Sequence, residues 1–390
     1  MRVLVLTHNF PRFSGDPVGS FVLRLARALA KRDVECHVIA PAGPDLPSTD
    51  VIEDIPVTRF RYAPHRLETL AYTGTMGAQV RTSWRARFAM AGFLAAGYRA
   101  ATRVMNRQRI DVMHAHWWFP GGLVARAVRS RTGTPYIVTM HGSDIRLAGA
   151  TPGGPSLFRS VSRRAAALTT VSSWLAREAE QLDPDARPVV APMPVRTELF
   201  HPPANAERSD DGLLFVGKLS DQKGLHHLLR AMPLMRRRAA LDVVGAGRVQ
   251  DTAVRQLARE LGIDDRITWH PLLTQQELAA RYRAAAIHVI PAVDEGLGLT
   301  AAESLLCETP VVAFDSGGLS DIVATGTTGI LVPVGNVQSL AAALDALLDD
   351  RGARARLGAE GRRFVLARFG ADAVGERYAE ILTSAAKVQR

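Results

Sequence analysis

The sequence predicts an α/β protein made of two doubly wound domains that face each other across a cleft. Three observations carry that expectation. At 390 residues the chain is long enough for two domains of ordinary size. Short apolar runs alternate with helix-forming stretches along its length, the pattern of parallel sheets wrapped on both faces. A break rich in proline and polar residues, from Pro192 and Pro194 through Pro202 and Pro203 to Asp211, interrupts the alternation, which then restarts. The expected boundaries are 1–205 for a first Rossmann-like domain and 206–370 for a second.

In the first domain the apolar runs predict strands at 3–7, 35–40, 57–62, 111–116, 136–140, 168–171 and 188–191. Helices are expected at 20–31, 83–107, 122–131, 157–166 and 173–181. The second domain is expected to place strands at 213–216, 240–244, 267–270, 287–290, 311–314 and 330–332. Its helices fall near 223–237, 250–261, 275–285, 299–307, 319–324 and 337–349. A last helical stretch runs over 371–387.

A hydrophobic share of 47% with 22% charged residues describes a globular chain with ample core. The two cysteines, Cys36 and Cys307, fall in different halves, so no disulfide framework is expected and a reducing cytoplasm fits. Met1-Arg2 leads straight into a short strand, which predicts no secretory signal, and the apolar stretch Phe88 to Tyr98 is too short to span a bilayer. Charge is placed unevenly: 26 basic against 15 acidic residues in 1–205, and 22 against 23 afterwards. Residues 59–109 hold ten arginines against one acid, Glu68. A basic half beside a neutral one points to an anionic partner, with an Arg-rich solvated surface as the plainer alternative. No nucleic-acid motif supports that charge, so nucleic acid is not an expected partner.

The stretch 290–303 concentrates the chemistry. A buried strand ends in Asp294-Glu295, two glycines follow (Gly296 and Gly298), and a helix then begins with Leu299 and Thr300 in its first turn and Glu303 beyond. A strand, a glycine turn and a helix N-terminus aim unpaired N–H groups at one point, which suits a phosphate. Eight helical steps separate Glu295 from Glu303 by ~12 Å along the axis. That is wider than the about 5–9.5 Å of a hydrolase carboxylate pair. Upstream, Gly217-Lys218 and Lys223-Gly224 follow a strand, and two lysines five apart can hold a diphosphate. Val244-Gly245-Ala246-Gly247 lacks the third glycine of a dinucleotide fingerprint, Gln250 standing in its place, so nicotinamide and flavin are not expected. In the first domain His141-Gly142-Ser143-Asp144 follows a strand, as does His114-Ala115-His116-Trp117-Trp118. His114 and His116 share a strand face but lack a third ligand at a convincing spacing, so no metal is expected.

These motifs resemble the E-x7-E signature of retaining glycosyltransferases of the GT-B fold, and in particular glycosyltransferase family 4. Glu295-Gly296-Leu297-Gly298-Leu299 matches the E-G-[FL]-G-L pattern, continued by Val311-Val312-Ala313 and Gly317-Gly318. Glu308 stands where the family usually has glycine, and Lys218 where it usually has arginine. The resemblance implies a metal-independent hexosyltransferase that needs no cofactor and takes a nucleotide-diphosphate sugar as co-substrate. Glu295 would meet the donor-sugar hydroxyls, Glu303 the ribose, Lys218 and Lys223 the diphosphate, and His141 the donor sugar. Gly217, Gly245, Gly298, Leu299 and Thr300 would line the donor site, and Gly19 would belong to the first, glycine-rich loop. His116, Trp117 and Asp144 are expected on the acceptor side, Trp117 with plain packing as its rival. The helix 371–390 would pack back on the first domain. A glycan or lipid-linked acceptor in envelope or polysaccharide synthesis is expected, with an anionic membrane surface as a further partner and a peripheral location at the inner face of the plasma membrane. A phosphorylase or a non-catalytic surface-binding protein on the same fold stays open as an alternative.

Overall fold

The computed structural model describes residues 1–43, 45–73, 75–202, 208–245 and 248–388. Ala246 and Gly247 of the V-G-x-G segment, and linker residues 203–207, lie outside the described residues. The chain divides into two compact units, Met1–Pro194 with Ala371–Arg390, and Val195–Gly370. The division falls before the expected 205/206 because the chain has already joined the second unit. The Val195 N–H donates to the Phe369 carbonyl at 3.0 Å, and Phe200 packs edge-on to Tyr282.

The first unit begins β1 (Arg2–Leu6), α1 (Ser20–Ala30), β2 (Glu35–Pro41), β3 (Thr49–Ile52), β4 (Ile55–Phe60), α2 (Met76–Thr82) and α3 (Trp84–Arg107). It continues with β5 (Val112–His116), α4 (Leu123–Thr132), β6 (Tyr136–Met140), α5 (Ser143–Ala150), α6 (Gly154–Ser162), β7 (Ala167–Thr170), α7 (Ser173–Leu182) and β8 (Val189–Val190). The strands form one sheet in the order β3-β4-β2-β1-β5-β6-β7-β8, parallel except for the edge pair β3–β4. β1, β5 and β6 are buried almost throughout because both of their faces are covered, as in parallel central strands.

The second unit holds β9 (Gly212–Val216), α8 (Leu225–Ala231), β10 (Ala240–Val244), α9 (Arg248–Glu260), β11 (Ile267–His270) and α10 (Gln275–Ala284). β12 (Ile287–Ile290), α11 (Leu299–Leu306), β13 (Val311–Phe314), β14 (Gly329–Val332), α12 (Val337–Asp349) and α13 (Arg351–Phe369) complete it. Its six parallel strands run β11-β10-β9-β12-β13-β14, so the order reverses between β9 and β12. Leu213, Phe215, Val243, Ile287, Val289 and Val312 fill its core with Leu228, Leu340 and Leu344 from the covering helices. In such a sheet the loops after the two strands at the reversal diverge and leave a crevice at their carboxyl ends. That topology sets where the second unit can hold a ligand. α14 (Ala371–Lys387) packs on the first unit against α1, β5 and β6. Among the described residues no helix is long and apolar enough to cross a membrane.

Candidate active site

The loops after β9 and β12 meet at the reversal point. The Lys223 ammonium pairs with the Glu295 carboxylate, 72 residues away in sequence, and both side chains are mostly buried. Two further bonds tie the loops together. Val293 N–H donates to the Gln222 carbonyl at 2.8 Å, and the Gln222 amide donates to the Asp294 carbonyl at 3.1 Å. Lys223 lays its stem against Gly217, whose N–H bonds the Val244 carbonyl at 3.0 Å, and the backbone at Gly245 passes directly over the Gly217 carbonyl. Lys218 is exposed and has no side-chain partner among the described residues.

A second loop clasps Glu295 from behind. Gly318 N–H donates to the Glu295 carbonyl at 2.7 Å and Ser316 Oγ accepts from Asp294 N–H at 2.8 Å. Gly317, at φ 61°, lies so close that a Cβ there would overlap the Glu295 backbone. Gly298 (φ 85°) then turns the chain into α11 as its N-cap, and no side chain caps that helix. Leu299 and Thr300 sit half-buried in its first turn. The uncapped N–H groups and the helix dipole favour an anion beside the Lys223–Glu295 pair. Glu303 accepts a 3.3 Å hydrogen bond from the buried Tyr282 hydroxyl, whose pKa burial and then the Glu303 charge push well above its ordinary value. The sequence reading missed Tyr282, which lies among ordinary helical residues and shows its role only through this contact.

In the first unit the strand ends gather aromatic rings and histidines. His116 Nδ1 lies 3.0 Å from His141 Nε2, and the His141 ring contacts Trp117 (4.4 Å between centroids) and Phe21 (5.1 Å). His8, directly after β1, packs on Trp117 at 4.1 Å. Its place at a strand's carboxyl end was the signal by which sequence could have found it. Burial pushes the pKa of His114 down to about 3, and burial with repulsion from its histidine neighbours lowers His116 well below its ordinary value. His141 is part-exposed, and desolvation followed by His114 and His8 lowers its pKa too. These rings are therefore neutral donors and acceptors at neutral pH. Gly19 enters α1 against the Asn9 backbone.

The three residues expected on the acceptor side, His116, Trp117 and Asp144, are all buried. Asp144 is 2% exposed, and its carboxylate accepts the N–H groups of His141 (3.1 Å), Gly142 (3.0 Å) and Trp118 (3.2 Å). A carboxylate so occupied braces the loop that carries His141 and has little left for a ligand. His116 is fully buried behind His141, and Trp117 forms a buried floor at φ 63°. Trp118 is buried too, its indole N–H donating to the Asp144 carbonyl at 2.7 Å. Among the described residues no group of three or more His, Cys, Asp or Glu could hold a metal.

Two doubly wound units, one with an acid–lysine pair and an uncapped helix start at its strand reversal, have the architecture expected of the GT-B class. Comparison with known proteins narrows this. The family model "Glycosyltransferase Family 4" matches residues 18–199 and "Glycosyl transferases group 1" matches 197–364. A D-inositol 3-phosphate glycosyltransferase of Frankia alni is 38% identical over 65% of this chain and 69% of its own length. A glycogen synthase of Mycobacterium tuberculosis is 30% identical over 100% of this chain and 96% of its own. Among solved structures, the sucrose-phosphate synthase of Thermosynechococcus elongatus shares the fold with TM-score 0.79 at 21% identity, covering 98% of both chains. Anabaena HepE in complex with UDP-glucose does so with TM-score 0.69 at 18% identity, over 98% of this chain and 100% of its own. The chain belongs to glycosyltransferase family 4.

Proposed function

We propose that the chain moves a hexose from a nucleotide-diphosphate sugar to a hydroxyl of a lipid-linked or envelope-glycan acceptor. The observation that carries the donor half is the Lys223–Glu295 pair at the strand reversal, beside the uncapped start of α11. An incoming diphosphate would draw the Lys223 ammonium from Glu295, leaving the carboxylate to accept hydroxyls of the sugar. As the bond to the anomeric carbon breaks, negative charge grows on the leaving diphosphate. Lys223 and the α11 N–H groups then stabilise the transition state more than the ground state. Lys218, exposed and unengaged, supplies a second cation as a point charge. Glu303 is the ribose contact in this reading. UDP sugars are the first donors to test, since the related fold of HepE is solved with UDP-glucose.

The test is turnover of UDP-glucose and other nucleotide sugars by wild type and Lys223→Ala. The variant should lose kcat by on the order of 10²–10³, as when one donor to a developing oxyanion is removed. A loss within about threefold, which is well under 1 kcal/mol of barrier, would remove the diphosphate assignment. Thermal shift screens the base, because a donor at 100 times its Kd adds about 2.7 kcal/mol of stability. A small phosphorylated acceptor is the second reading, favoured by the basic first domain and by the name of the Frankia relative. Transfer to inositol phosphate rather than to a polyprenol-linked sugar would select it.

A further inference from the structure

The α2–α3 corner of the first unit carries a surface that the donor chemistry does not use. α3 buries Ala86, Ala89, Met90 and Phe93, with Phe93 packed on Phe60 at 4.9 Å and on Tyr62 at 5.1 Å. That face meets its need for cover. Trp84 and Phe88, four residues apart and so on one side of the helix, point away from it and are 72% and 65% exposed. Ala91 and Ala95 continue the stripe, and Arg99 and Arg103 end it, all four exposed. Arg85 places its guanidinium over the Trp84 ring at 5.6 Å, and Arg81 is exposed beside it. No Asp or Glu occurs between Glu68 and Asp111, so the stripe has no anionic neighbour within its own segment.

We infer that this corner seats the enzyme on an anionic bilayer, with Trp84 and Phe88 in the headgroup–acyl boundary and the arginines on lipid phosphates. The inference rests on the reading of a membrane-displayed acceptor, which it deepens by assigning the docking element. A helix with large aromatics on one exposed side and cations as the only charges of its segment has the chemistry of an interfacial anchor. A protein partner would equally cover two aromatics, but a run without a single acid selects for a uniformly anionic surface. Arg87 is excluded from the lipid-facing set. Its guanidinium is committed to the carbonyls of Val80 (3.0 Å) and Arg81 (2.8 Å), where it fastens α2 to the start of α3.

The test uses the full chain, sedimented with vesicles of phosphatidylcholine alone or mixed with phosphatidylglycerol. Wild type should pellet with the mixed vesicles only and release as salt rises, since exposed charges are screened over about 8–10 Å at physiological strength. Trp84→Ser with Phe88→Ser should weaken binding at least about tenfold, as loss of buried apolar area at an interface requires. Arg81, Arg85, Arg99 and Arg103 changed to Gln should do the same and abolish the salt dependence. Turnover of the donor in solution should stay at the wild-type level in both variants. Wild type that fails to pellet while it turns over donor overturns the membrane inference and leaves the donor assignment standing. Pelleting without donor turnover does the reverse. Sedimentation velocity showing a dimer that the serine pair dissolves, without vesicle binding, would reassign the stripe to a second copy of the chain.

Discussion

Glu308 shows how a single side chain is carried against its conformational preference. It sits at φ 58°, in the left-handed region, directly after α11. The turn is held by Arg208, whose guanidinium donates to the carbonyls of Cys307 and Glu308, the latter at 2.7 Å, and to Thr309 Oγ1 at 2.8 Å. The backbone there suits glycine, and its strain is the cost of the glutamate. A left-handed L-residue costs ~1–2 kcal/mol, and glycine gives back ~0.4–1 through the unfolded chain. Glu308→Gly should therefore raise stability by about 0.5–1 kcal/mol, read as a higher urea midpoint at unchanged slope. A lowered midpoint would mean that the Glu308 side chain itself contributes. Glu303 offers a kinetic case at the same scale. If Glu303 holds the ribose as proposed, Glu303→Gln should raise the donor KM and spare kcat, because ribose contacts change little as the glycosidic bond breaks. Tyr282→Phe, which removes the hydroxyl that donates to Glu303, should raise KM in the same direction but less. A kcat loss at constant KM in either variant contradicts ribose binding.

At the scale of elements, the loops that hold Glu295 matter more than the residue's own strand. Gly317 has a positive φ and no room for a Cβ against the Glu295 backbone. Gly317→Ala should push that backbone away, separate Glu295 from Lys223 and cut kcat/KM by about 10²-fold, the scale of an ångström-sized misplacement. Circular dichroism should be unchanged, and activity within a few-fold of wild type would show that the clasp is not needed. This clasp was half legible in the sequence. The apolar runs marked β12 and β13 within a residue, and Gly317-Gly318 were part of the family resemblance, but nothing local says that they fold over Glu295. The Lys223–Glu295 pairing is likewise absent from any spacing and follows only from the strand order. Four elements escaped the sequence reading: α2, β3, α5 and α13. β3 is a short polar edge strand with no buried alternation to betray it. α13 holds Gly352, Gly358 and Gly361, and glycine is a poor helix former. In the fold Gly358 lets the helix approach the Glu308 carbonyl and Gly361 the Leu305 side chain, both too closely for a Cβ. α5 was hidden by its glycine start at Gly142, and the short strained turn at Trp117 by the same lack of a local signal.

The whole molecule stores buried bases in both units. In the first, His114 bonds Thr139 Oγ1 at 2.7 Å through Nε2 and stacks on Tyr378 of α14 at 5.4 Å, while its Nδ1 and the His116 Nε2 have no partner among the described residues. Tyr378 donates to the Ala191 carbonyl at 2.9 Å, so the returning helix seals these histidines from water. In the second unit His288 lies in β12 with both ring nitrogens unpartnered among the described residues, and burial lowers its pKa to about 3. Each of these three histidines is fully buried. Their folded pKa values lie below the ~6.5 of an unfolded histidine. Each therefore contributes stability that is complete above that value and lost as pH falls from it toward the folded pKa, because the unfolded chain takes up the proton first. The limiting slope is ~1.4 kcal/mol per pH unit for each histidine, or ~4 for the three together. Urea midpoints should accordingly hold steady from pH 8 to 7 and fall steeply between pH 6.5 and 5, a window fixed by the unfolded value of about 6.5. His288→Leu keeps an apolar side chain of similar bulk in β12 and cannot be protonated. It should flatten the acid slope of the second unit while leaving that of the first unchanged, read separately by hydrogen exchange in β12 and β5. An acid slope in β12 that His288→Leu leaves intact would assign the pH sensitivity to other groups.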